Sequence, residues 1–217
     1  KVIAAIMNQL FETLFSQYSA YAKVDIALEL TAVFFSIVSV LYAKKNNVLV
    51  YPSGIFASII FVYLLVKWEL FGDFIINIFY VIMSIYGWYL WTRKSNGKDL
   101  LHISRTNNKE KIITSIIFTV ACSSICIIYT AFDKFDNWTA YVDTLTTAIF
   151  FCGMWLMAKR KIENWIFWIV GDVITIPLYF YKGLTISSFL YLIYAFIAIA
   201  GYFAWLKTTE DNKSHNL

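Results

Sequence analysis

Apolar runs long enough to cross a bilayer recur seven times in this chain, and that recurrence limits its fold more than any motif. A spanning helix needs roughly 20 mostly apolar residues. Such runs lie at about Val24 to Ala43, Val48 to Val66, Leu70 to Thr92, Ile112 to Phe132, Ala140 to Ala158, Asn164 to Tyr181 and Leu184 to Leu206. Only 15% of the residues are charged and 60% are hydrophobic, far from the roughly even mix of a soluble domain. The sequence therefore predicts an all-α integral membrane protein with little mass outside the bilayer. Arg93 to Lys111 is the longest polar link. No phosphate-cradling Gly-x4-Gly-Lys loop is present, which argues against nucleotide hydrolysis.

The net charge of +4 acquires its meaning from placement. With seven spans, one side collects Lys44, Lys45, Arg93, Lys94, Lys98, Arg105, Lys109, Lys111, Lys159, Arg160, Lys161, Lys207 and Lys213. The other side has Lys1, Lys23, Lys67, Lys134 and Lys182. Positive charge marks the cytoplasmic side, so the C-terminus is expected inside and the N-terminus outside, and no nucleic-acid partner is needed. Residues 1–23 carry Val2, Ile3, Ile6, Leu10 and Leu14 at helical spacing among polar residues, which predicts an interfacial amphipathic helix. Cys122, Cys126 and Cys152 fall inside spans and read as small buried hydrophobes. The only histidines, His102 and His215, lie in the polar link and the tail, so neither a metal nor a cofactor is expected.

The chain also repeats itself. "YAKKNNVLVYPSGIFASI" and "MAKRKIENWIFWIVGDVITI" align Ala43 with Ala158, Asn47 with Asn164, Tyr51 with Trp168 and Gly54 with Gly171. "YGWYLW" and "AGYFAW" align Gly87 with Gly201 and Trp91 with Trp205, and Glu29 and Asp143 stand at corresponding starts. The organisation expected is residues 24–92 as one three-helix bundle and 140–206 as a second. Residues 93–139 form a cytoplasmic loop and linking helix between them, and 207–217 a cytoplasmic tail. One extra span between the repeats makes them parallel, a form that surrounds midplane substrate sites in transporters.

Polar groups inside spans are expensive, roughly 2.5–3.5 kcal/mol for an Asp at a helix centre, so they usually face a cavity. Asp73, Asn77, Tyr80 and Ser84 share one face of the third span, and Ser187, Tyr191 and Tyr194 one face of the seventh. Trp165, Trp168 and Asp172 share a face of the sixth. In the repeat alignment Val48 and Ile55 stand opposite Trp165 and Asp172, so these two, with Trp168, are the better ligand candidates. Trp68, Trp88, Trp91, Trp138 and Trp205, near span ends, read as interface anchors. Pro52 and Pro177 read as kinks. No Lys or Arg sits inside a span, which disfavours an anionic substrate. Aromatic faces with carboxylates suit a flat, cationic ring bearing hydroxyl groups.

The two halves, the "KKNN" and "KRKIEN" loops, "YGWYLW" and above all "ENWIFWIVGDVITIPLYFYKG" resemble the PnuC family, the bacterial nicotinamide riboside transporters, from Ala22 to Leu206. The resemblance implies a SWEET-like fold of two parallel three-helix bundles joined by a linking helix, assembled as a homotrimer among the lipids of the inner membrane. It implies uptake of nicotinamide riboside, a vitamin B3 form and NAD precursor, by facilitated diffusion, with cytoplasmic phosphorylation trapping the riboside. Trp165, Trp168 and Asp172 fall in the family's Trp-rich motif. Asn77, Tyr80, Asp73, Tyr191 and Tyr194 come from the stripes alone. Related carriers take other vitamins, thiamine among them, and a proton-coupled carrier titrating Asp172 or Asp73 is the mechanistic alternative. An enzyme is not expected, because no nucleophile and base pair lies within a span.

Overall fold

The computed structural model describes residues 22–67, 71–95, 97–133, 135, 137–183 and 185–214. They form seven helices: α1 (Lys23–Lys44), α2 (Val50–Lys67), α3 (Phe71–Thr92), α4 (Asn108–Ala131), α5 (Thr139–Ala158), α6 (Asn164–Tyr181) and α7 (Thr185–Ser214). All seven are long and apolar enough to cross a membrane. The expected amphipathic helix over residues 1–23 lies outside the described residues except for its last two, as does Trp68.

The helices start and stop where the chain supplies local reasons. α4 begins at a reciprocal cap: the Asn107 side chain accepts from the Glu110 backbone N–H and the Glu110 carboxylate accepts from the Asn107 N–H, each at 2.9 Å. It therefore starts four residues before the apolar run. α1 and α5 each end with a residue in the left-handed region, Asn46 at φ 51° and Arg160 at φ 52°. The Asn46 N–H donates to the Ala43 carbonyl and the Arg160 N–H to that of Met157, both at 2.9 Å, which closes the last turn.

Helix packing forms a closed circuit. α1 packs on α2, α2 on α3, α3 on α5, α5 on α6, α6 on α7, and α7 returns to α1. α4 lies outside the circuit against α5. In α5, 67% of the span's residues are buried and in α4 only 6%, so α5 is the most enclosed span and α4 the most exposed.

Two matching turns correct the repeat alignment. Asn46 corresponds to Arg160, not to a residue nearer Asn164, and the helices that follow start in step: Val50 N–H donates to Asn47 O as Asn164 N–H does to Lys161 O, both at 3.1 Å. The same interval separates Tyr51 from Trp165, Gly54 from Trp168, Gly87 from Gly201 and Trp91 from Trp205. Sequence comparison put Asn47 against Asn164 by residue identity, where a gapless register was available.

The basic end of the circuit is sealed by aromatic packing. Tyr51 lies edge-on to Trp91 with centroids 5.1 Å apart, and Trp165 edge-on to Trp205 at 5.5 Å. The two halves are tied reciprocally. Trp91 Nε1 donates to the Ala158 carbonyl at 3.2 Å, and Trp205 Nε1 to the Ala43 carbonyl at 3.0 Å. Trp91 and Trp205 are thus buried crossties and not interface anchors, whereas Trp88 and Trp138 are surface-exposed. Pro52 falls in the first turn of α2, where no intrahelical bond is lost, so it makes no kink there. Pro177 does lie within α6, and Ser188 of α7 donates to the neighbouring Ile176 carbonyl at 2.8 Å.

The opposite end carries two charge clamps. Lys67 pairs with Asp25 across α1 and α2 at 2.6 Å, and Lys182 with Asp143 across α5 and α6. In the clamp Asp25 takes the role that Asp143 takes in the other half, although the interval that aligns the two turns sets Glu29 opposite Asp143, as the repeat predicts. The polar link is more ordered than its composition suggests. It opens with a hairpin of β1 (Lys94–Ser95) and β2 (Lys98–Asp99), then buries Ile103 against the turn before α6. Ser104 pairs with Lys161 as an isolated parallel bridge, and Lys161 reaches both Glu110 and the Ser104 hydroxyl at 2.9 Å.

Candidate functional site

The circuit encloses a cavity of about 460 Å3 with walls from all six of its helices, a size in the range of small-molecule sites. The circuit places it. Each helix is apolar towards lipid and turns its few polar residues inward, where they escape the hydrocarbon.

α3 supplies Asn77, Tyr80 and Ser84, the stripe expected from spacing, and α7 supplies Ser187, Tyr191 and Tyr194. Trp168 of α6 completes that group. Its indole stacks on Phe150 at 5.5 Å between centroids and 28° between planes, and Phe150 stacks in turn on Tyr191 at 6.1 Å and 18°. A Cβ at Gly171 would overlap the Phe150 ring, so that glycine makes the stack possible. Tyr191 stands edge-on to Tyr179 and Tyr194, giving a continuous aromatic wall. The Tyr194 hydroxyl bonds to the Ser36 hydroxyl at 2.5 Å, closing α7 onto α1.

Asp172 is 2% exposed and lies behind this wall, close enough to Tyr80, Tyr191 and Tyr194 to interact electrostatically with each. Glu29 brings a second carboxylate to the cavity. No Lys, Arg or His lines it among the described residues. Such a cavity can stack a flat ring, hydrogen-bond hydroxyl or amide groups, and favour positive charge.

Two expected residues stand elsewhere. Trp165 is fully buried but off the cavity wall, packed where Gly201 leaves room: a Cβ there would come within 2.6 Å of its ring. It is the counterpart of Tyr51 and sits in the aromatic seal. The face shared with Trp168 and Asp172 is wide enough to put one end of it into a helix contact. Asp73 belongs to the first turn of α3, and its side chain lies outside what the structure describes.

Sequence reasoning missed Tyr51, Glu29, Ser36, Ser39 and Tyr179 on the lining. Glu29, Ser36 and Val40 are spaced on one face of α1, so the stripe test applied to the third span would have found the first two. A second hollow of about 450 Å3, between α3, α4 and α5, is lined almost wholly by aliphatic and aromatic side chains such as Ile75, Phe79 and Phe151. It offers little to orient a polar ligand.

Known proteins share this design. Residues 26–207 match the family described as nicotinamide mononucleotide transporter. The nicotinamide riboside transporter PnuC of Escherichia coli is 22% identical over 176 residues, covering 69% of this chain and 72% of that protein. The riboflavin/roseoflavin transporter RibM of Streptomyces davaonensis is 24% identical over 136 residues, covering 60% of this chain and 62% of RibM. The crystal structure of the vitamin B3 transporter PnuC superposes with a TM-score of 0.65 at 19% identity, covering 93% of this chain and 90% of that one. That likeness is one of fold.

Proposed function

The chain belongs to the nicotinamide mononucleotide transporter family, and from that premise we propose that it carries nicotinamide riboside across the bacterial inner membrane, where its seven apolar helices make it a multi-pass protein. One observation carries the choice of substrate: a cavity walled by Trp168, Tyr191 and Tyr194, flanked by Asp172 and Glu29, and lined by no basic residue among those described. The pyridinium ring of the riboside is flat and cationic, so it stacks on Trp168 and gains from the acid beside it. Asn77 and Tyr80 hydrogen-bond its ribose or carboxamide. A phosphate would meet the Glu29 carboxylate, with Asp172 behind the wall, and no cation, which sets the riboside above its mononucleotide.

RibM supports riboflavin as the second reading. The ring system of riboflavin is neutral, so it would gain no charge attraction from the buried acid. Calorimetry of the purified chain with nicotinamide riboside, its mononucleotide, riboflavin and thiamine decides among them. Selective binding of the riboside, abolished in a folded Trp168→Ala variant, is the expected result. Preference for riboflavin or the mononucleotide would sink the assignment.

In the mechanism we propose, residues 24–92 and 140–206 act as two parallel three-helix bundles that rock about the cavity, with α4 as the linking helix. The matched turns at Asn46 and Arg160 and the reciprocal Trp91 and Trp205 bonds support that pairing. The basic turns face the cytoplasm and the Asp25 and Asp143 clamps face outward, with the N-terminus outside and residues 1–23 as an amphipathic helix on the membrane surface. Transport is facilitated diffusion by a homotrimer, with phosphorylation in the cytoplasm trapping the product.

A further inference from the structure

We propose that Tyr51 is a further substrate-contact residue, whose hydroxyl hydrogen-bonds the ligand at the inner end of the cavity; the assignment rests on the riboside reading above. Tyr51 lines the cavity yet is 1% exposed, and its hydroxyl has no hydrogen-bond partner among the described groups. A buried hydroxyl without a partner is unfavourable, and phenylalanine would fill the same space without that penalty. A tyrosine here has use for its hydroxyl only if something entering the cavity completes the bond.

The ring is held for that purpose. It lies across Gly87, where any Cβ would overlap it, and its edge meets Trp91 at 88°. Trp91 is fixed in turn by the Ala158 carbonyl and by the Arg160 guanidinium 4.3 Å from its ring centroid. The hydroxyl therefore has little freedom to seek a partner elsewhere, and contact with it costs the ligand little ordering of the protein. The equivalent residue of the other half does not reach the cavity. Trp165 packs the same way against Gly201 and Trp205 and likewise leaves its Nε1 without a partner, but it stays off the cavity wall, where no ligand in the cavity can complete its bond.

The test compares the full-length wild type with Tyr51→Phe and Trp165→Phe by calorimetry with nicotinamide riboside, together with the unfolding temperature of each protein without ligand. Tyr51→Phe should bind about five- to tenfold more weakly, the effect of one lost hydrogen bond, with an unfolding temperature no lower than wild type. Equal affinity in wild type and Tyr51→Phe overturns the proposal. So does an affinity loss that Trp165→Phe reproduces, since that would be an effect of the seal and not of the hydroxyl. A wild type that ignores the riboside but binds riboflavin refutes the substrate reading instead, and the same comparison run with riboflavin then decides the role of Tyr51.

Discussion

Gly54 and Trp168 stand at the same position of the two halves, and their partners are exchanged in size: Gly54 meets Ser39, while Trp168 meets Gly153. The second half makes room for its indole by placing the glycine on α5. A Cβ at Gly153 would lie 3.3 Å from Trp168 Cε2, tighter than ordinary contact, and Phe150 behind the indole blocks retreat. Gly153→Ala should therefore weaken riboside binding several-fold and cost about 1 kcal/mol of stability. Calorimetry and denaturant-dependent unfolding of the purified variant read the two effects separately.

Trp91 and Trp205 predict a symmetric pair of defects. Trp91→Phe and Trp205→Phe each keep an aromatic ring in the seal but remove one bond between the halves, to Ala158 and Ala43 respectively. Each should destabilise by about 1–2 kcal/mol, since a buried carbonyl loses a donor. The double variant should lose less than the sum if the two bonds reinforce each other in one closed state, because each single variant already forfeits that reinforcement, which a double-mutant cycle of unfolding free energies measures.

The positions of the spans were legible because apolar length is a direct physical demand of the bilayer. Each run matched a helix to within a few residues, except where Asn107 and Glu110 capped α4 early and where α7 ran on past Leu206. The stripes of Asn77, Tyr80 and Ser84 and of Tyr191 and Tyr194 were legible for the same reason: helical spacing fixes a face. Trp165 was not, because spacing cannot tell a cavity wall from a helix contact when both are aromatic. Trp91 and Trp205 were misread because a tryptophan near a span end serves equally as an interface anchor or as a crosstie to another helix. The docking of Ile103 and Ser104 left no periodic signal at all, since it depends on a turn 57 residues away.

Lys161 holds that docked link. It reaches Glu110 and Ser104 from a side chain that is only 11% exposed, and Glu163 beside it accepts from the Thr106 N–H at 3.0 Å. Lys161→Met should cost roughly 1–3 kcal/mol by leaving Glu110 without its cation. Limited proteolysis in the stretch 100–107 should become faster at once, while the capping box keeps α4 itself intact. Unchanged protection of that stretch would show that the Arg160 guanidinium, which donates to the Leu101 carbonyl, and buried Ile103 suffice to dock it.

Asp172 separates charge from shape. Asp172→Asn preserves size but replaces the carboxyl behind the aromatic wall with an amide that cannot carry a negative charge. If the acid acts on a pyridinium through Trp168 and its tyrosine neighbours, riboside affinity should fall by roughly tenfold or more, about 1.4 kcal/mol, while a neutral ligand such as nicotinamide should bind as weakly as before. The same variant distinguishes modes of transport. In a uniporter, proteoliposomes of wild type and variant should both equilibrate labelled riboside across the membrane, the variant with a higher KM, and an imposed pH gradient should drive accumulation in neither. In a proton-coupled carrier titrating Asp172, the gradient should drive accumulation in the wild type, and the variant should lose that accumulation yet keep counterflow, because exchange needs no net proton movement.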